Sequence, residues 1–433
     1  MIQESEYKKR RDLIAKKLVK NSLAVLFSNS YKNRSNDTDY PYRQDSNFYY
    51  LSGFKEDNSA LVIFKSATNI KTILFVEKKE RLKELWNGKR VGRKKAKKRF
   101  LFDEVYDYSE FESKLKELML KIKTLYFDFK LDYSKVKVLK RYAKNLPTHK
   151  NIAPLVASMR LIKSDAEIKL IEKAISITQD AHHKVISLDK DGLYEYHLQS
   201  EMEYVFKNSG AYSDAYTSIV ASGNSANTLH YISNDKILLE DSLILIDAGC
   251  EYEYYASDIT RTIPVSGQFS DAQKELYEMV LDVQLKIIAM IKPDEKRTLL
   301  QEKAEILLTQ GMIRLGILKG SYKKLLKKKK HKKYYPHGIG HWMGLDVHDM
   351  APYKDENDKE IPLKKGMVLT IEPGIYISKN DKCVPKKFRG LGIRIEDDIL
   401  VTKNGNKNLS SNIAKTVDEI EKLSFTISTS KNT

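Results

Sequence analysis

The stretch LILIDAGCEYEYYASDITRTIPV, Leu243 to Val265, decides how this chain is read. Four apolar residues lead into Asp247, Ala-Gly follows, and Asp258 arrives eleven residues later, just ahead of a second strand-like run from Thr260 to Val265. A hairpin of that length can bring both carboxylates to the same face and end of adjacent strands. Two buried carboxylates that close repel strongly unless a proton or a cation lies between them. Aspartates are also common in turns and caps, so this stretch alone leaves a turn pair and a metal pair equally open.

The histidines shift that balance. Three of the nine fall within HGIGHWMGLDVH, as His337, His341 and His348. No Glu follows the first His, and Gly338, Gly340 and Gly344 each penalise helix by about 1 kcal/mol, so a glycine-rich loop or strand entry is expected rather than a zinc-binding helix. Two glutamates complete the pattern: Glu372 in VLTIEPGIY and Glu396 in GIRIEDD, each after an apolar or β-branched run. A Glu within a buried strand is costly unless paired or bound to metal. Taken singly, Glu372 reads equally as a strand-end residue before Pro373, and Glu396 as a salt-bridge partner of Arg394. Together, four carboxylates and one imidazole form an oxygen-dominated donor set, which suits Mn first, with Co, Fe or Zn as alternatives. Five donors exceed one tetrahedral site, whereas two ions about 3.5–4 Å apart would use them all.

Around this centre the chain divides in two, as its 433 residues lead one to expect. Residues 1 to about 150 read as a small α/β domain. Apolar runs Leu23 to Phe27, Ala60 to Phe64, Thr72 to Val76 and Thr124 to Phe129 predict buried strands, and Phe111 to Ile122 and Tyr133 to Lys144 predict helices. Pro147, Pro154 and the stretch NIAPLVASMR mark a boundary. Ser164-Asp165-Ala166-Glu167 is a capping box that opens a helix to about Ile186, with Ile168, Ile171, Ala174, Ile175 and Thr178 on one face. Further helices are expected at Glu195 to Lys207, ending at Gly210, and at about Asp271 to Ile291 and Leu300 to Leu315. Long strands are expected from Ser218 onward, including Met367 to Ile377 and Ile393 to Val401. Residues 160–433 therefore read as α+β, with paired helices around a curved antiparallel sheet.

Composition narrows the function classes. Hydrophobic residues make up 41%, which excludes wholesale disorder. No apolar run approaches a membrane span, and no signal-peptide h-region is visible. Two cysteines, Cys250 and Cys383, build no disulfide framework, and a cytoplasmic setting is expected. The net charge of +18 raises a nucleic-acid reading. The excess sits largely in RKKAKKR (Arg93 to Arg99) and KKLLKKKKHKK (Lys323 to Lys333), without interleaved aromatics, so solvated loops and no specific nucleic-acid partner are expected.

These motifs resemble those of the Xaa-Pro aminopeptidases (aminopeptidase P) of the creatinase/methionine-aminopeptidase "pita-bread" superfamily. The likeness is carried by IDAG, SDITRT, HGIGHWMGLDVHD, TIEPGIY and GIRIEDD in the catalytic part. YPYRQDSNFYYLSGF (Tyr40 to Phe54) and WNGKRVG (Trp86 to Gly92) carry it in the N-terminal part, and MRLIKSDAEI at the join. The resemblance implies two divalent ions bridged by Asp258 and Glu396, with Asp247 on one and His341 and Glu372 on the other. It implies Glu372 as general base, His230 lining the site, His337 shaping a proline pocket and His348 bonding the tetrahedral intermediate. Tyr216, Tyr376 and Arg394 fall at supporting or pocket positions. The expected activity is release of the N-terminal residue from peptides with proline second, by attack of metal-activated hydroxide. A prolidase acting on Xaa-Pro dipeptides and a noncatalytic peptide- or nucleic-acid-binding relative are the alternatives. The resemblance also implies a homo-oligomer, dimer or tetramer, and peptide substrates as partners. One departure is the order of Asp45 and Asn47 in RQDSNF, which the family often reverses.

Overall fold

The computed structural model describes residues 2–143 and 146–425, and the chain separates into two compact units between Met159 and Arg160. In the first unit, six strands form one mixed sheet in the order Glu104–Asp107, Ile70–Val76, Ala60–Lys65, Ser22–Phe27, Thr124–Phe127, Thr148–Asn151. Ser22–Phe27 is buried along its whole length, as an interior strand must be. It pairs antiparallel with Ala60–Lys65 and parallel with Thr124–Phe127. Helices Phe111–Met119 and Tyr133–Ala143 set Phe111, Leu115, Leu118 and Leu139 into the same core as Leu23, Val25 and Phe75. The strand expected to reach Phe129 stops at Phe127. Asp45, the odd residue of RQDSNF, accepts from Phe48 N at 2.8 Å and caps the helix Ser46–Ser52.

Two segments depart from the sequence expectations. The first basic run is a helix, Arg93–Phe100, rather than a loop; only Ala96 and Phe100 are buried, so its cations stay in solvent. NIAPLVASMR is also helical, over Ala153–Arg160. Pro154 sits in its first turn, where the missing N–H costs no hydrogen bond.

In the second unit the Ser164 capping box forms as expected. Glu167 N donates to Ser164 Oγ at 3.3 Å, Ser164 N donates to Glu167 Oε2 at 2.9 Å, and the helix runs Asp165–Ser187. Helices Glu195–Asn208, Asp271–Met290 and Arg297–Arg314 follow, pairing first with second and third with fourth. The described strand pairings of this unit are antiparallel.

The strands are shorter than expected. Met367 to Ile377 splits into Val368–Ile371 and Gly374–Tyr376, and Ile393 to Val401 into Gly392–Arg394 and Asp397–Val401. Both interruptions fall at the predicted ligand glutamates. Pro373 has no N–H to give a ladder, Glu372 N turns to Ile339 O at 2.8 Å, and Glu396 N turns to Thr260 O at 3.1 Å. The lysine run Lys323 to Lys333 forms a short helix, Tyr322–Lys327, and a 3-10 turn, Lys330–Lys333, of which only His331 is buried. Among the described residues no helix is long and apolar enough to cross a membrane.

Candidate metal centre and active site

Asp247 ends the buried strand Leu243–Asp247, where it lies opposite Thr260 in the antiparallel partner strand. Asp258 immediately precedes that partner. Gly249 makes the approach possible, because a Cβ there would stand 2.0 Å from the Ser257 carbonyl oxygen. The two aspartates meet at Tyr216, whose hydroxyl lies 2.6 Å from Asp247 Oδ1 and 2.7 Å from Asp258 Oδ1.

The segment Gly338 to His341 lies against Val368–Ile371, with Thr370 N donating to His341 O at 2.9 Å. Gly340 is required here, since its Cβ would fall 1.9 Å from Thr370 O. His341 Nε2 is thereby placed 3.3 Å from Asp258 Oδ2 and 3.8 Å from Glu372 Oε1. Asp258, His341 and Glu396 offer donor atoms that all lie within 4.8 Å of one another. Glu396 accepts from Thr260 Oγ1 at 2.7 Å. Its alternative reading fails, because Arg394 turns instead to Asp247 Oδ2 at 2.5 Å, Tyr376 Oη at 3.0 Å and Thr260 Oγ1 at 3.1 Å.

The remaining histidines surround this group. His337 Nε2 is 2.8 Å from Tyr376 Oη, and its Nδ1 is 3.6 Å from Glu372 Oε2. His348 packs its ring 4.1 Å, centroid to centroid, from that of His341. His230 is exposed, and lies near enough to His337 and His348 to influence the ionisation of both.

Electrostatics show what the cluster lacks. Burial raises the pKa of Asp247, Arg394 opposes the rise, and Asp258 adds to it. Burial, then Asp258 and Glu372, hold Glu396 well above the carboxylate range, and burial pushes Glu372 up to about 7. Burial disfavours charge on His341 as well, but Asp258 and Glu372 outweigh it and lift the imidazole to about 9. A protonated imidazole thus supplies part of the positive charge that the acids require. A divalent ion in contact with these oxygens and Nε2 meets the same need more fully, so the residues present fit a metal centre.

Four contributors were not visible in the sequence. Thr260 joins Glu396 to Arg394. Buried Asp398 accepts from Asp258 N at 3.1 Å, behind the site. Arg261, wholly buried, donates to Glu396 O at 2.6 Å and pairs with Asp397 at 2.8 Å, fixing the Glu396 backbone. The acidic pair after Glu396 was the available signal, since consecutive acids in an apolar strand need buried partners.

A buried cluster of carboxylates and imidazole at the ends of antiparallel strands defines a metallohydrolase. Metallopeptidase family M24 matches residues 169–403, and the aminopeptidase P N-terminal domain matches residues 7–126. The chain belongs to metallopeptidase family M24, and in sequence the pita-bread catalytic fold follows an aminopeptidase P-type N-terminal domain. It is 40% identical to the Xaa-Pro aminopeptidase of Haemophilus influenzae over 97% of each chain, and 37% identical to that of Escherichia coli over 98% of each. Zn-substituted E. coli aminopeptidase P in complex with product superposes with a TM-score of 0.94, at 36% identity and 98% coverage of both chains. The same enzyme with the inhibitor Pro-Leu also gives 0.94, at 36% identity and 99% coverage of both.

Proposed function

We propose that this protein removes the N-terminal residue from peptides whose second residue is proline. The reading is carried by the convergence of Asp247, Asp258, His341, Glu372 and Glu396 in one buried group, and supported by relatives named Xaa-Pro aminopeptidase. Asp247, Asp258, His341, Glu372 and Glu396 would together hold two divalent ions. Such ions supply Lewis acidity and a water that ionises near neutral pH. The oxygen-rich donor set favours Mn, ahead of Co, Fe or Zn.

The chain's own groups do the rest. Glu372 takes the proton of the attacking water and later delivers one to the proline nitrogen as the amide C–N bond breaks. His348 donates to the carbonyl oxygen as it gains charge, a contribution typically worth about 3 kcal/mol per donor. His337, with its pKa pushed down to about 4 chiefly by burial and then by Arg394, stays neutral and shapes the proline pocket with Tyr376. His230 lines the substrate side. Proline is recognisable because its nitrogen is tertiary and its ring rigid.

The same reading includes a dimer or tetramer and a cytoplasmic setting. Free Cys250 and Cys383 accord with a reducing compartment. The test is Mn-supplemented hydrolysis of Xaa-Pro-Yaa, Xaa-Ala-Yaa and an Xaa-Pro dipeptide. Cleavage of the first well above the other two is expected. Preference for the dipeptide establishes a prolidase instead, and no cleavage of any defeats the reading.

A further inference from the structure

We propose that a buried ion cluster of Arg160, Lys163 and Asp349 is the positioning device for His348; the proposal rests on the peptidase reading above. Lys163 Nζ lies 3.1 Å from Asp349 Oδ2, and each side chain is 1% exposed. Arg160 Nη2 reaches Asp349 Oδ1 and also Asp346 Oδ2, the latter at 2.6 Å.

Stability does not account for such a cluster. Desolvating ions is expensive enough that well-packed apolar residues often replace a buried pair at no loss. What the ions fix is a path of the chain. Asp349 N donates to Trp342 O at 2.9 Å, closing the loop between them, and Gly344 N donates to Asp346 O at 3.1 Å within it. Gly344 gives the carboxylate its room: a Cβ there would stand 2.5 Å from Asp349 Oδ2 and 2.9 Å from Lys163 Cε. His341 opens this stretch and His348 ends it.

His348 has little else to hold it. Among the described residues its ring makes no hydrogen bond; it is exposed, and its ring lies against that of His341. Its position is therefore inherited from the backbone, which the neighbouring Asp349 anchors through both carboxylate oxygens. Arg160 and Lys163 act through Asp349, and Asp349 acts through His348. None of the three is placed to touch substrate.

The paired change Lys163→Met with Asp349→Asn removes one cation and one anion, and with them both ion pairs of Asp349; Arg160 keeps Asp346, so no charge is left without a partner and this is the variant expected to fold. Lys163→Met alone is the second variant. Amide exchange in metal-loaded protein reads the loop directly, and the paired variant is expected to exchange at least 10-fold faster over residues 342–349, with the helix Asp271–Met290 unchanged. On Xaa-Pro-Yaa, kcat should fall at least 10-fold with KM within twofold. In a His348→Ala background, the same paired change should lower kcat by less than twofold, because both act on one group. Loop exchange at the wild-type rate, or full additivity with His348→Ala, overturns the proposal. Should the wild type cleave no peptide, the peptidase reading fails, while the exchange arm still decides whether the ions hold the loop.

Discussion

Arg394 gives its Nη2 proton to Asp247 at 2.5 Å, across 147 positions of sequence, instead of to Glu396 two residues away. The guanidinium serves Asp247, while the Glu396 carboxylate accepts from Thr260 Oγ1. Breaking a buried pair by removing one partner costs about 3–5 kcal/mol, because a charge is left uncompensated. Arg394→Met should therefore destabilise the protein steeply in EDTA and less in Mn, where bound cation offsets the lost charge. Thermal melting under the two conditions measures this; equal losses would show that Arg394 and the metal do not share the Asp247 charge.

Glu372→Gln keeps the shape of the side chain and removes its basicity. Turnover should fall about 10²–10⁴-fold with KM nearly unchanged, as expected for loss of a proton-transfer group. Steady-state kinetics on Xaa-Pro-Yaa check it, with metal content measured because Glu372 is also a predicted ligand.

Chelation should abolish hydrolysis and Mn should restore it. Binding to the folded state alone also stabilises it by about 2.7 kcal/mol at a hundredfold excess over Kd, so the melting temperature should rise with free Mn. A melting temperature indifferent to Mn would contradict the electrostatic argument from raised carboxylates.

The buried imidazole of His182 faces Ala248 O at 3.3 Å, and its pKa is pushed down to about 3 by burial and then by Arg261. A base whose folded pKa is depressed binds fewer protons folded than unfolded, so its stability contribution is present above about pH 6.5 and is lost as pH falls toward 3. His182→Gln lacks this titration. Between pH 6.5 and 4.5 the wild type should lose on the order of 2 kcal/mol more than the variant in urea unfolding.

Gly249→Ala should be far worse than an ordinary glycine replacement. The new methyl meets backbone oxygen at 2.0 Å, so the two aspartate-bearing segments must part. Reduced Mn stoichiometry in the purified variant, read by elemental analysis, is the expected result.

The acids and histidines were legible because the residues themselves announce an unmet charge: Asp247 after four apolar residues, Glu372 and Glu396 inside β-branched runs. The long helices were legible from periodicity and from the Ser164 capping box. The breaks at Glu372 and Glu396 were not, since apolar content continues across both and only partner carbonyls on other strands reveal the turn. Nor was the Arg160–Asp349 contact, which spans 189 positions; a single sequence records residue types but not such pairings. The helix Ala153–Arg160 was hidden by Pro154, which punctuates a chain equally well when it begins a helix.

The acids and the imidazole come from strand ends and loops spread from Asp247 to Glu396, so the centre has no local precursor. A nascent chain still short of Glu396 holds an imidazole and three acids but not the carboxylate that groups with Asp258 and His341. Any ion this group would take has to await the strand that carries Glu396, and a fragment ending before it could not complete the set.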